Sequence, residues 1–390
     1  MVSFENTEVA FAGKSQGDLN RSYWLFKLVS NSSFVNIGQV LTTFAIHLHL
    51  PIKSLIKATI FKQFCGGETI EECDKAIKAL GKYKIGTILD YSVEGNESES
   101  AFEACAKETI ATIARAKNNP SIPFCVFKVT GLARFALVEK VSSKETLSQE
   151  EKMEYEKVKE RVNKICNTAF EADVPIFIDA EESWIQQAID DLADELMNAY
   201  NKQRPIVYNT FQFYRTDRLG FLKRSLQTAM EKKYFLGAKL VRGAYMEKER
   251  KKATEKKYPS PIQENKEASD KDYDLALKFC VENIDRIALC AGTHNEKSSH
   301  YLVELMQDKK IPSSHRHVYF SQLLGMSDHI SYNLADAGFN VAKYVPYGPV
   351  KDVLPYLIRR AQENTSVKGQ TGRELNLIIK EKDRRKKIHR

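Results

Sequence analysis

PIFIDAEESWIQQAIDDLADELMNAYNKQRPIVYNTFQFYRTDRLGFLKRSLQTAMEKKYFLGAKLVR, residues 175–242, holds three short β-branched runs separated by two longer amphipathic stretches. Pro175–Asp179, Ile206–Phe211 and Ala238–Arg242 read as strands, and Ser183–Asn201 and Leu219–Lys233 as helices. Strand, helix and strand in that rhythm are the pattern of parallel strands joined by crossover helices. The same rhythm continues outward. Gly86–Tyr91 and Phe124–Val129 precede it, and Ile287–Gly292, His317–Gln322 and Asn340–Val345 follow it. Further helical stretches run over Leu147–Ala172, Lys271–Asn283 and Lys297–Asp308. Eight βα units predict an α/β fold, a distorted TIM (βα)8 barrel. Ser22–Leu80 has apolar residues at helical spacing, so the expected organisation is a helical N-terminal region (1–82), a barrel (83–370) and a basic C-terminal tail (371–390). Residues 246–272 are charge-rich and punctuated by proline, which predicts a long solvated loop after the fifth strand.

Composition sets the outer limits. With 43% hydrophobic and 28% charged residues in 390, the chain reads as an ordinary soluble protein able to bury a large core. Its seven cysteines are scattered and never spaced Cys-x-x-Cys, which argues against a disulfide framework or a zinc ribbon and predicts a reducing compartment. Acidic Glu5 and Glu8 near the start, with no long apolar run, read as neither signal nor transit peptide, so a bacterial cytoplasm is the expectation. The most apolar early stretch, 34–46, is too short to span a bilayer. Of the formal charge of +8, a net five positive charges lie in Lys380–Arg390. Such a tail suits anionic lipid, or a solvated helix end; no aromatic-basic interleaving points to nucleic acid.

In a barrel of this type chemistry gathers at the carboxyl ends of the strands. Reading those ends in order gives Asp90 with Glu94, Lys128, Asp179, Gln212, Lys239 with Arg242, Thr293 with His294, Gln322 and Tyr344. A polar group at nearly every strand end predicts a site there. A second cluster follows the eighth strand, where Tyr356, Arg359, Arg360 and Glu363 share one face of a helix. Adjacent arginines offer planar, permanently charged forks for a carboxylate or phosphate, although the same pattern also suits a solvated face. His47 with His49 and His315 with His317 lack metal-ligand spacing, so no metal is expected.

The stretches Lys239-Leu-Val-Arg-Gly-Ala-Tyr245, Tyr344-Val-Pro-Tyr-Gly-Pro349 and Tyr356-Leu-Ile-Arg-Arg360 closely resemble the proline dehydrogenase family. Ile178-Asp-Ala-Glu-Glu182, Thr293-His-Asn295 and Gln322-Leu-Leu-Gly-Met326 fit it in the same order, and the resemblance runs from about Ile60 to Asn364. It is nearest to the single-function enzymes, the mitochondrial type included. The resemblance implies FAD at the carboxyl end of the barrel, oxidation of L-proline to Δ1-pyrroline-5-carboxylate, and electrons delivered to a membrane quinone. It also accounts for the absence of a G-x-G-x-x-G fingerprint, which a barrel flavoprotein does not need.

Residue by residue, the resemblance implies that Arg359, Arg360 and Lys128 hold the proline carboxylate. It puts Asp179 beside the substrate, Tyr344 against the far edge of its ring, and Leu323 in the apolar wall. Asp179, Lys128, Tyr344 and Lys239 form the implied catalytic group, and Glu94 is implied to pair with Arg359 as a gate. Ala180, Gln212, Lys239, Val241, Arg242, Gly243, Ala244, Tyr245, Thr293, His294, Arg360 and Glu363 are the implied FAD contacts. Lys239 stands where many bacterial members have arginine, which keeps the charge but not the fork. Tyr344 implies proline rather than hydroxyproline as substrate. The implied location is the cytoplasm, with the basic tail as the candidate for peripheral contact with the inner membrane. Two rival classes stay open on the residues alone: a Schiff-base aldolase using Lys128 or Lys239, and a non-catalytic protein that binds through its tail.

Overall fold

The structure is a computed structural model that describes residues 2–29, 53–93, 97–366 and 370–388, with only the backbone given at 29, 55, 361–366 and 370–371. Strands β1 (Ile85–Tyr91), β2 (Phe124–Phe127), β3 (Ile176–Ile178), β4 (Val207–Gln212), β5 (Leu236–Val241), β6 (Ile287–Gly292), β7 (Val318–Leu323) and β8 (Val341–Tyr347) form one closed barrel in chain order, with helices between them. All eight expected strands are present, shifted by a residue or two at their ends. At β2 the strand stops two residues early, at Phe127, and gives way to a 3-10 turn over Val129–Gly131.

The chain divides into two compact units, 95–321 and a second made of 1–94 with 322–390. In the first, β2 to β7 pair in parallel register, with Phe127 opposite Ile178, Ile178 opposite Asn209, and Thr210 opposite Lys239. An aromatic cluster fills the middle of this sheet. Phe124 stacks on Phe177 at 4.4 Å, and Tyr208 meets both rings edge-on. Gly237 leaves room for that packing, because a Cβ there would lie 2.7 Å from Tyr208 Cγ and 2.4 Å from the Val207 carbonyl. The long helix Gln149–Ala172 starts at a capping box, Ser148 with Glu151, and stops at Asp173 in the left-handed conformation.

The expectation of a loop over 246–272 is corrected. Met246–Lys256 is a helix, the next helix already begins at Lys266, and only the segment between them is irregular. The charges that suggest solvent do cover most of the surface of Met246–Lys256. Two residues four apart, Glu249 and Ala253, are buried, and both oxygens of Glu249 accept from Ser183, from its N–H and its Oγ–H, at 2.6 Å each. Lys252 adds a cation–π contact 3.9 Å from the centre of the Trp184 ring.

In the second unit β1 and β8 pair from Ile85–Val341 to Tyr91–Tyr347. The basic C-terminal segment is a helix, Gln370–Ile388, whose Leu377 and Ile378 pack with Phe11, Leu19 and Phe26. Several of its cations meet partners within the chain. Arg384 and Arg385 bind Glu381, Arg385 also donates to the Lys14 and Phe11 carbonyls, and Arg373 meets Glu5. The rings of His315 and His317 lie edge-on to each other at 5.4 Å. His47 and His49 lie outside the described residues, and no described helix is long and apolar enough to cross a membrane.

Candidate active site

At the carboxyl ends of β2, β3 and β5 the structure brings together one carboxylate and two ammoniums. Asp179, one residue past β3, takes Lys239 Nζ at 2.5 Å on one oxygen and Lys128 Nζ at 3.3 Å on the other. Lys239 is only 5% exposed and its Nζ lies 5.4 Å from the centre of the Phe177 ring. Burial by itself would raise the pKa of Asp179. The two ammoniums outweigh it and hold the carboxyl below its usual range, so the group is ionised at neutral pH. A buried lysine is tolerated because its counter-charge is fixed in contact with it.

The neighbouring strand ends supply the other expected residues. Gln212 ends β4 and is 2% exposed, and its Oε1 has no hydrogen-bond partner among the described residues. Val241 ends β5, and Arg242 follows it with every arm anchored: Nε on Asp270 at 2.6 Å, Nη1 on Thr293 Oγ1 at 2.7 Å, and Nη2 on Ser298 Oγ at 2.9 Å. Gly243 and Ala244, which come next, are exposed. Gly243 needs to be glycine on two counts, a φ of +133° and a Cβ position 2.5 Å from the Tyr214 ring. Tyr245, His294 and Ala180 are half-buried around the same strand ends, and Thr293 is buried.

Across the other unit's strand ends, Tyr344 is buried in β8 and its carbonyl accepts from Leu324 N–H at 2.8 Å. Leu323 ends β7 and packs with Met326, Val353 and Tyr356. Gln322 accepts from Ser331 Oγ, and Asp90 from Ser92 Oγ. Arg359 and Arg360 lie on the helix Leu354–Ser366; Arg360 is buried, with its guanidinium 5.1 Å from the centre of the Tyr356 ring. Glu94 and the side chain of Glu363 lie outside the described residues.

Some residues that build this arrangement carry no assigned role in the sequence reading. Lys343 is fully buried and donates to the Met326 and Leu323 carbonyls and to Asp328, which fixes the turn between β7 and the helix Asp328–Asp336. Glu181 lies inside the quoted Ile178–Glu182 motif, which is the signal that marks it. Burial pushes its pKa up to about 7, against hydrogen bonds from Thr130 that pull the other way. A carboxyl raised in this way stabilises the fold fully below its unfolded pKa, and that contribution is lost as pH rises through 7. The stability of the wild type relative to Glu181→Gln is therefore expected to fall by about 2–3 kcal/mol between pH 4 and pH 8. Urea unfolding at both pH values measures the difference, and a pH-independent gap would contradict it.

The proline dehydrogenase family model matches residues 73–373. Proline dehydrogenase 1, mitochondrial, of Dictyostelium discoideum is 33% identical over 97% of this chain and 74% of its own length. The carbapenem antibiotics biosynthesis protein CarD of Pectobacterium carotovorum is also 33% identical, over 85% of each chain. Among solved structures, proline utilization A from Bdellovibrio bacteriovorus superposes with a TM-score of 0.73 at 21% identity, over 92% of this chain and 38% of that one. That likeness bears on the barrel fold, and the sequence matches bear on the family. The chain belongs to the proline dehydrogenase family and is an enzyme of that type.

Proposed function

We propose that this enzyme oxidises L-proline to Δ1-pyrroline-5-carboxylate with FAD as hydride acceptor, and that the electrons pass to a membrane quinone. The observation that carries the reading is the Lys128–Asp179–Lys239 cluster at the strand ends, where a charged substrate can be held in a single orientation. FAD supplies the hydride-accepting ring when bound. The chain's own residues fit such a group. The buried Oε1 of Gln212, without a partner among the described residues, can accept from a ring N–H. Gly243 and Ala244 are exposed at the same strand end, where their small size lets the backbone approach such a ring. Lys239 supplies a positive charge at the strand end that stabilises charge developing on a reduced ring.

The same reading has Lys128, Arg359 and Arg360 neutralising the substrate carboxylate, with Tyr344 and Leu323 against the apolar part of the ring. Holding one orientation of a reacting carbon is worth several kcal/mol of barrier, which is the service these groups provide. A quinone acceptor dissolved in the bilayer requires an approach to the membrane. Its cytoplasmic face is the proposed working place, with exposed lysines of the Gln370–Ile388 helix as the contact.

Two measurements test this. The purified protein is expected to carry flavin that acid precipitation releases into the supernatant, and anaerobic L-proline is expected to bleach its visible band. A protein with no flavin, or a band indifferent to proline, would refute the reading; a colourless protein trapped by borohydride with a carbonyl substrate would favour the aldolase. Tyr344→Ser addresses specificity. Removing the phenol makes room for a ring hydroxyl, so the ratio of kcat/KM for trans-4-hydroxy-L-proline over L-proline should rise by one to two powers of ten, about 1–3 kcal/mol. An unchanged ratio would take Tyr344 out of the ring pocket.

A further inference from the structure

Glu181 is 3% exposed and stands two residues beyond Asp179. Both of its oxygens are occupied by one residue: Thr130 N–H donates to Oε1 at 3.0 Å, and Thr130 Oγ–H to Oε2 at 2.5 Å. Thr130 sits in the Val129–Gly131 turn that immediately follows Lys128. The last rung of the β2–β3 ladder is Asp179 N–H donating to the Phe127 carbonyl at 3.0 Å. Past that rung strand pairing no longer relates Lys128 to Asp179, and the Glu181–Thr130 clasp is the next link across. The clasp is itself held from behind. Glu181 N–H donates to Gln186 Oε1 at 2.8 Å, and Gln186 Nε2 to Asp190 Oδ1 at 3.0 Å. Asp190 is gripped by both terminal nitrogens of Arg218 at 2.8 and 2.9 Å and by Asn209 of β4 at 2.9 Å.

We propose that Glu181 is a positioning residue for the reaction: its carboxylate fastens the turn after β2 to the loop after β3, and so sets Lys128 beside Asp179 for substrate binding. The Glu181 end of the link is buried and braced by Gln186, and the half-buried Thr130 end is tied by two hydrogen bonds, so that one side chain can fix the placement of another. The inference rests on the proline-oxidising reading, since Lys128 matters here as a partner of the substrate carboxylate. A carboxylate that only capped the turn would contribute to stability and leave substrate affinity alone.

The test is a double-mutant cycle on the FAD-loaded enzyme with Lys128→Ala, Glu181→Ala and the double variant. Glu181→Ala is expected to raise KM for L-proline about tenfold while kcat stays within about twofold, the pattern of lost binding. The double variant should be no worse than Lys128→Ala alone, because a lysine that is absent cannot be misplaced. Thr130→Val, which keeps the N–H bond and loses the hydroxyl, should raise KM in the same direction by a smaller factor, and it guards against a Glu181→Ala variant that does not fold. The rise in melting temperature on saturating L-proline should shrink in step with KM. Additive effects of Lys128→Ala and Glu181→Ala, or a wild-type KM in both clasp variants, overturn the positioning role while leaving proline oxidation in place. A wild-type enzyme inert to L-proline removes both.

Discussion

Asp179→Ala is expected to lower kcat/KM for L-proline by about 100- to 1,000-fold and to destabilise the fold by about 3–5 kcal/mol, the usual result of stripping one partner from a buried ion pair. Asp179 is a direct counter-charge of Lys239, whose side chain is 7% exposed. Without it the lysine either stays charged in a poorly solvated pocket or gives up its proton, and either outcome alters the charge at the strand ends. Lys128, half-buried and 3.3 Å from the same carboxylate, loses its anchor at the same time. Asp179→Asn separates the contributions, since it keeps the shape and one acceptor but not the charge. It should recover part of the stability and little of the activity. Steady-state kinetics with L-proline and denaturant unfolding decide between these outcomes; an alanine variant near wild type in both would show that the cluster is a surface ornament.

The barrel is legible because each strand is a short β-branched or apolar run with a long amphipathic stretch after it, and neither signal depends on distant residues. Lys128, Asp179, Gln212 and Lys239 stand out for a related reason, as polar groups at the ends of apolar runs. Their pairing does not. That Asp179 lies between Lys128 and Lys239 depends on the register of three strands whose residues are 51 and 60 positions apart in sequence. The helix Met246–Lys256 is hidden for the converse reason. Its sequence is nearly all charge, and its docking rests on Glu249 meeting Ser183, 66 residues earlier. The docking of the basic C-terminal segment likewise becomes visible only when Glu5, at the far end of the chain, meets Arg373. Glu181 sits in a motif that the sequence does flag, yet only the fold shows its carboxylate committed to Thr130.

Arg360→Ala is expected to raise KM for L-proline by about 100-fold or more, since losing one member of a charge-assisted contact with a carboxylate costs about 2–5 kcal/mol. Arg360 is 7% exposed and stacked on Tyr356, so its guanidinium is already ordered before a ligand arrives and little entropy is lost on binding. Arg359, its half-buried neighbour, is less constrained, and Arg359→Ala should raise KM by a smaller factor, about tenfold, with flavin content unchanged. Arg360→Lys separates charge from shape. An ammonium keeps the charge but has neither the planar fork nor the stack, so it should recover only a minor part of the affinity. Structural damage is distinguished by thermal melting: the Tyr356 contact is worth about 0.5–2 kcal/mol, so the alanine variant should melt only a few degrees lower. Flavin retained after gel filtration supplies the remaining readout, because the reading gives Arg360 to both cofactor and substrate and Arg359 to substrate alone. Small and equal effects from the two alanine variants, on KM and on flavin content, would mean that the helix Leu354–Ser366 presents its arginines to solvent and that the carboxylate is held elsewhere.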